Sequence, residues 1–382
     1  MSDSRTEAQR LMPALVVALV ALVMVLFGLY INEVIKKPVS DGSKGQDLAT
    51  SNEVFHWKLV TTWPKNFPGL GTAPETFARM ANELSNGRLQ IKVHGAGELV
   101  PALGVFDAVS SGSVQMGHGA SYYWKGKVPA AVFYTTVPFG MNAQETNGWI
   151  NFGGGMELWR EIYEPFNLIP FQGGNTGVQM GGWYNTKIES LDDIKGVKMR
   201  IPGLGGEVWS RAGGVSVTLA GNELYTSLQT GVIDATEWVG PYNDLAMGFH
   251  QVANYYYYPG WHEPGAMLEF IVNKDAYETL PQDLQAIIEV ATIAANQLML
   301  DQFTGANNAA LKELTEQHEV ELLAYPDDVL KEFKAIAADV YRDISAKDPQ
   351  FAKVYESYSA FQEQVSDYHL ISEEAYYRAR KQ

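Results

Sequence analysis

The chain has 382 residues, enough for two domains, and 46% of them are hydrophobic, enough to fill real cores. A formal net charge of −16 argues against nucleic acid or an anionic membrane surface as the main partner, while leaving room for a small anion in a locally positive cleft. There is no cysteine, so disulfides, thiolate chemistry and a lipidated cysteine are excluded, and the compartment is left open.

The first element is apolar. Leu11 to Ile31, "LMPALVVALVALVMVLFGLYI", runs 21 residues without a charge, the length that crosses a bilayer. Arg5 and Arg10 precede it and Lys36 and Lys37 follow, so charge orients it only weakly. No small-x-small site closes the run. The expectation is therefore an N-terminal transmembrane helix kept as an anchor, with a cleaved signal as the alternative. A polar linker, 32–53, separates it from the rest, which is expected beyond the inner membrane.

"FHWKLVTTW" places Phe55, Trp57, Leu59 and Thr61 on one side, a strand pattern. Pro64, Pro68, Gly69 and Gly71 interrupt it. "TAPETFARMANEL" reads as a helix with Phe77, Met80, Ala81 and Leu84 on its apolar face; Asn86-Gly87 stops it, and "RLQIKVHG" alternates as a second strand. Strand, helix and strand at this spacing predict an α/β fold. The segments Val105–Met116 and Leu224–Ala235 then share a form: a helix, a small residue, a Gly cap and a short apolar strand. Each runs into a polar and aromatic stretch, "GHGASYYW" (Gly117 to Trp124) and "TEWVGPYND" (Thr236 to Asp244). Ligands in open α/β sheets bind beyond the carboxyl ends of strands, so both stretches are cleft candidates; chance likeness is the competing explanation. Between them, Val178 to Tyr184 reads as a Gly-crowded strand, and Val197 to Ile201 as another, which Pro202 ends. Arg200 then reaches either a cleft or solvent. Beyond about Asn273 the composition turns helical, with a break at Leu280-Pro281. Tyr355, Tyr358, Phe361, Val365 and Tyr368 recur at helix spacing, a stripe for packing or for dimerisation.

The usual catalytic patterns are missing. No G-x-S-x-G elbow is present, and "GLGGEVW" (Gly203 to Trp209) fits neither G-x-G-x-x-G nor a Walker lysine sequence. None of the seven histidines, among them His56, His94, His118, His250 and His262, forms H-E-x-x-H, so each takes a structural role by default. Paired carboxylates for sugar chemistry stay open, because nine Trp and twenty Tyr would suit stacking. What remains is a two-lobed α/β protein with an arginine, amides and a carboxylate at strand ends. An arginine grips a carboxylate bidentately. Glu237 beside that carboxylate would repel it unless a cation lies between; its donors would be hard oxygens, suited to Na⁺, Ca²⁺ or Mg²⁺.

Taken together, "LVTTWP", "GHGASYYW", "GNTGVQMGGWYN", "KMRIPG" and "LQTGVIDATEWVGPYND" resemble the solute-binding proteins of tripartite ATP-independent periplasmic (TRAP) transporters, in particular their 2-oxoacid-binding subgroup, from about Phe55 onward. The resemblance implies a two-lobed periplasmic-binding-protein-like fold with a hinge cleft, chain crossovers and a long helix spanning both lobes. It places lobe I mainly in 54–172, lobe II mainly in 173–270 with crossover strands, and spanning and dimerisation helices in 271–382. By the resemblance, Arg200 holds the substrate carboxylate. Gln179, Glu237 and the Trp238 carbonyl hold a cation, Na⁺ in preference to Ca²⁺, and Gln179 and Trp238 also face the substrate. Tyr122, Tyr123, Asn175 and Tyr242 complete the pocket. Asp234 receives no role. The implied function is non-catalytic: periplasmic capture of a pyruvate-like 2-oxo acid for a TRAP permease, by a homodimer anchored through Leu11 to Ile31. The alternatives are a 2-hydroxy acid binder with Ca²⁺, a carbohydrate-active or lyase-type enzyme, and a ligand sensor without transport.

Overall fold

Strand β1 (Phe55–Thr61) follows from its alternation, with Trp57 and Leu59 buried and His56 and Lys58 exposed. The computed structural model of the protein describes residues 52–382. The expected anchor, Leu11 to Ile31, lies outside these residues; among those described, no helix is long and apolar enough to cross a membrane.

A helix at Thr72–Leu84 buries Phe77, Ala78 and Ala81 and leads to β2 (Leu89–His94), which pairs parallel to β1. On the other side of β1 lies β3 (Met116–Gly119), also parallel. The first sheet is completed by β4 (Leu168–Asn175) and, from much later in the chain, β10 (Met267–Asn273), in the order β2-β1-β3-β10-β4. Strand β10 is antiparallel to both neighbours and buried along its whole length.

The second sheet is made of short strands: β5 (Gly182–Tyr184), β6 (Lys198–Arg200), β7 (Val215–Val217), β8 (Ala235–Thr236), β9 (Tyr255–Tyr258) and β11 (Glu321–Ala324). Their order is β11-β9-β5-β8-β6-β7. Two sequence expectations move here. The strand expected from Val178 shortens to β5, because residues 176–181 form the passage between the sheets. The strand expected at Val232-Ile233 forms only at β8, directly before Glu237.

The chain crosses between the sheets at 176–181 and returns at 259–266. The two passages bond to each other: Thr176 N donates to Ala266 O (3.0 Å), Gln179 N to Glu263 O (3.1 Å) and Gly260 N to Gln179 O (2.9 Å). A side chain at Gly260 would bring Cβ within 2.3 Å of the Gln179 carbonyl, so only glycine allows this approach. A third passage is the 35-residue helix Gln282–Glu316, about 50 Å long at 1.5 Å per residue. It packs on β4 and the helix Thr72–Leu84 in one lobe and on the helix Pro241–Met247 in the other. The helix Asp327–Ser345 then covers the second lobe, and Pro349–His369 returns to the first, where Phe351, Tyr355 and Tyr358 meet Phe133. Each lobe thus takes in distant parts of the chain.

Candidate functional site

The polar groups that matter gather where the two passages meet the ends of the strands. Arg200 ends β6 and Glu237 follows β8; the register sets Arg200 beside Thr236, and Glu237 N donates to Arg200 O (3.2 Å). Both side chains are almost fully buried, at 1% and 0% exposed, and Arg200 Nη1 pairs directly with Glu237 Oε1. The guanidinium also donates from Nη2 to Tyr123 OH (3.0 Å) and from Nε to Leu219 O (3.2 Å), and lies 5.3 Å from the Trp238 ring centre. Burial opposes the Arg200 charge, but Glu237 and the tyrosine and carboxyl groups around it outweigh that and raise its pKa. Arg200 therefore stays a cation in a nearly dry site.

Between the lobes is a tight cavity of about 10 Å³. Tyr122, Tyr123, Trp63 and Leu70 line it from the first lobe, Trp238 and Val239 from the second, and Thr176, Gln179, Glu263 and Ala266 from the passages. Its aromatic wall is continuous: Trp238 meets Trp63 edge-on at 6.0 Å, and Tyr122 meets Tyr123 edge-on at 4.8 Å. Trp63 is held by His118, whose Nδ1 accepts from Trp63 Nε1 (3.1 Å) and whose Nε2 lies 2.8 Å from Gly173 O. Burial pushes His118 down to about 4, so it is neutral at pH 7.

Three oxygens here are buried without a hydrogen-bond partner: Gln179 Oε1, Glu237 Oε2 and Glu263 Oε2. Leaving such a group unsatisfied costs about 1–3 kcal/mol, more for a charged one. Glu237, His262 and Glu263 each offer a ligand atom, all within 4.8 Å of one another. Burial, then the neighbouring Glu237, raise the Glu263 carboxyl well above its usual range; Arg200 and the Tyr122 and Gln179 side chains pull the other way. The unpartnered oxygens of two carboxyl groups and a carboxamide form a hard-oxygen set that fits an alkali or alkaline-earth cation.

Of the residues expected at the site, Arg200, Glu237, Gln179, Trp238, Tyr122 and Tyr123 come together. Asn175 and Tyr242 do not line the cavity. Asn175 Oδ1 accepts from Gly177 N (2.8 Å) and braces the turn after β4, while Tyr242 turns to the spanning helix, where its OH accepts from Gln302 Nε2 (3.3 Å). Asp234 ties the starts of the neighbouring strands β8 and β6 together, accepting from Lys198 N (2.9 Å). Four site residues escaped the sequence reading: Trp63, Thr176, His262 and Glu263. His262 and Glu263 lie in "WHEPG", which has no periodicity; its only signal is an acid beside a histidine before Pro-Gly.

Comparison with known proteins places the chain among receptors. The family model described as "DctP: Bacterial extracellular solute-binding protein, family 7" matches residues 59–348. The Monocarboxylate 2-oxoacid-binding periplasmic protein of Nostoc sp. is 44% identical over 320 residues, covering 84% of this chain and 87% of that protein. A TRAP periplasmic solute-binding protein from Pseudoalteromonas atlantica, solved with bound sodium and pyruvate, is 45% identical with a TM-score of 0.83, over 85% of this chain and 99% of its own. A TRAP periplasmic solute-binding protein from Colwellia psychrerythraea, with bound calcium and pyruvate, is 44% identical, also at 0.83, over 86% of this chain and 100% of its own.

Proposed function

Because the chain belongs to the bacterial extracellular solute-binding proteins of family 7, the receptors of TRAP transporters and not enzymes, we propose that it captures a small 2-oxo monocarboxylate such as pyruvate together with a cation, and delivers it to a TRAP permease. The observation that carries this reading is the buried Arg200–Glu237 pair together with three unpartnered oxygens, two of them on Gln179 and Glu263, which line the interlobe cavity.

The charges explain why two ligands enter together. Arg200 and Glu237 neutralise each other at the strand ends. An anion alone would free Arg200 but strand Glu237, and a cation alone would do the reverse; a buried charge without its partner costs about 3–5 kcal/mol. A neutral pair of acid and cation avoids both penalties. In this reading Arg200 turns its fork to the substrate carboxylate, with Tyr123 steadying the other edge. Glu237, Gln179, Glu263 and the Trp238 carbonyl hold the cation, which supplies the positive charge that lets the substrate oxygens face Glu237. Tyr122, Trp63 and Trp238 exclude water and limit the acid to a small one. Asn175 and Tyr242 support the pocket from behind.

The lobes are taken as the two sheets with their helices, hinged at 176–181 and 259–266. The receptor is proposed to work beyond the inner membrane, held there by Leu11 to Ile31. A homodimer through the C-terminal helix is supported by exposed Tyr368, Leu370, Ile371, Tyr376 and Tyr377.

A thermal-shift and calorimetric screen tests the function. Pyruvate with Na⁺ or Ca²⁺ is expected to stabilise the protein far more than either component alone, by about 2.7 kcal/mol at a hundredfold excess over Kd. Equal stabilisation by pyruvate in a chelated, sodium-free buffer would overturn it.

A further inference from the structure

His262 is a group beside the cleft that a hard cation does not account for. Its side chain is 1% exposed, both ring nitrogens lack hydrogen-bond partners, and Nε2 lies 3.5 Å from Glu237 Oε2. His118 provides the contrast within the same molecule: equally buried, it is tied at both nitrogens, as a structural histidine should be. The gap between His262 and Glu237 is too long for a good hydrogen bond. Na⁺ and Ca²⁺ take oxygen ligands and have no need of an imidazole.

We propose that the cleft also takes a divalent transition-metal ion of the Zn²⁺ class, with the His262 imidazole as nitrogen ligand beside the Glu237 and Glu263 carboxylates. This rests on reading the cleft as a cation site, and it makes His262 the residue that sets which cations compete there. The three ligand atoms lie within 4.8 Å of one another, close enough to converge on one ion. One imidazole and two carboxylates suit a borderline ion better than an alkali or alkaline-earth one, and the affinity of such sites rises through the divalent series towards Cu²⁺ and Zn²⁺. Glu263 also lines the neighbouring cavity, from which the carboxylate and 2-oxo oxygens of a substrate would complete the coordination.

The test uses the full chain, stripped of metal with a chelator and carrying H250Q, which breaks up the His250–His318 surface pair (ring centres 4.1 Å apart) as a rival metal site. Zn²⁺ and Ca²⁺ are titrated separately by calorimetry, each with and without pyruvate, and Co²⁺ is followed by its visible absorption. One Zn²⁺ per chain is expected. H262Q is expected to lower the ratio of Zn²⁺ to Ca²⁺ affinity at least tenfold and to alter the Co²⁺ bands. If H262Q does not fold, ¹⁵N NMR of the protein with His262 intact decides, since Zn²⁺ must shift that ring's nitrogen resonances. An unchanged ratio, unshifted resonances, or a Ca²⁺ and pyruvate response without any Zn²⁺ binding overturns this proposal alone. Loss of every response to Na⁺, Ca²⁺ and pyruvate overturns the cation-site reading and this proposal with it.

Discussion

A guanidinium and a carboxylate buried side by side are held by each other, and the Arg200–Glu237 pair gives this site its character. Removing one partner does more than remove a contact. Arg200→Ala leaves the Glu237 carboxyl without its partner at 0% exposure, and is expected to destabilise the protein by about 3–5 kcal/mol while abolishing binding of the acid. The double variant R200A/E237Q removes the stranded charge. Urea denaturation should show most of the stability regained, and calorimetry should show binding still lost. If the double variant is as unstable as R200A, the cost lies in lost packing against Trp238 and not in charge. Arg200→Lys keeps the charge but not the fork that now reaches both Glu237 and Tyr123. A point charge cannot serve both sides, so its affinity for pyruvate should fall at least tenfold, a loss that calorimetry measures directly.

At the scale of elements, the turn from Glu237 to Asp244 shows what a sequence displays and what it conceals. Glu237 stood out because an acid beside Trp238 at a strand end asked for a partner; the resemblance gave it a cation, while its direct pairing with Arg200 came from the fold. The role of Asp244 was hidden, because it bonds backward to groups that leave no trace in spacing. Asp244 Oδ1 accepts from Val239 N (3.2 Å) and Gly240 N (3.1 Å), while Oδ2 accepts from Trp183 Nε1 (2.9 Å) and Tyr256 OH (2.7 Å). One buried carboxyl thus fixes the backbone that follows Trp238 to the two rings beneath it. His262 and Glu263 were concealed for a related reason: they sit on a passage between sheets, where neither period applies and only the pairing with 176–181 fixes their direction. Asn175 and Tyr242 show a further limit, since motif membership does not say which way a side chain turns. Asp244→Asn keeps the acceptor for Val239 and Gly240 but sets an amide donor against Trp183 Nε1. The variant is expected to fold with its sheet intact and to bind the cation and pyruvate several-fold more weakly, through faster dissociation. Stopped-flow release rates equal to the parent's would show that the turn holds itself.

For the whole molecule, the α/β alternation and the helical C-terminal region were legible in the residues, whereas the crossovers between lobes came only through the resemblance, because β10 and β11 join sheets laid down far earlier in the chain. The same interleaving buries titratable groups in both lobes. In the first lobe Glu269, on β10, receives Trp124 Nε1 and Tyr163 OH, yet burial pushes its carboxyl from the usual 4.5 to about 8. In the second, burial raises Asp244 from 3.8 to about 7 against the bonds it accepts. A raised carboxyl is protonated in the folded chain while the unfolded chain has already ionised, so the unfolded state binds fewer protons and stability falls as pH rises. For Glu269 that stabilisation is complete below pH 4.5 and lost by about pH 8. His118 acts in the opposite sense, since its lowering from 6.5 to about 4 removes stability only as pH falls below 6.5. Above pH 6.5 the two carboxyls are therefore unopposed by it, and above pH 7 Glu269 dominates the pair. Urea midpoints of the metal-free protein should decline from pH 6.5 to pH 8, with a slope of up to about 1.4 kcal/mol per pH unit for each group. Glu269→Gln, which keeps an acceptor but cannot ionise, should flatten the part between pH 7 and pH 8 and leave the Asp244 part in place. Parallel curves for parent and variant would mean that Trp124 and Tyr163 hold Glu269 ionised in the core, and that the protein tolerates an unpaired buried anion in its first lobe.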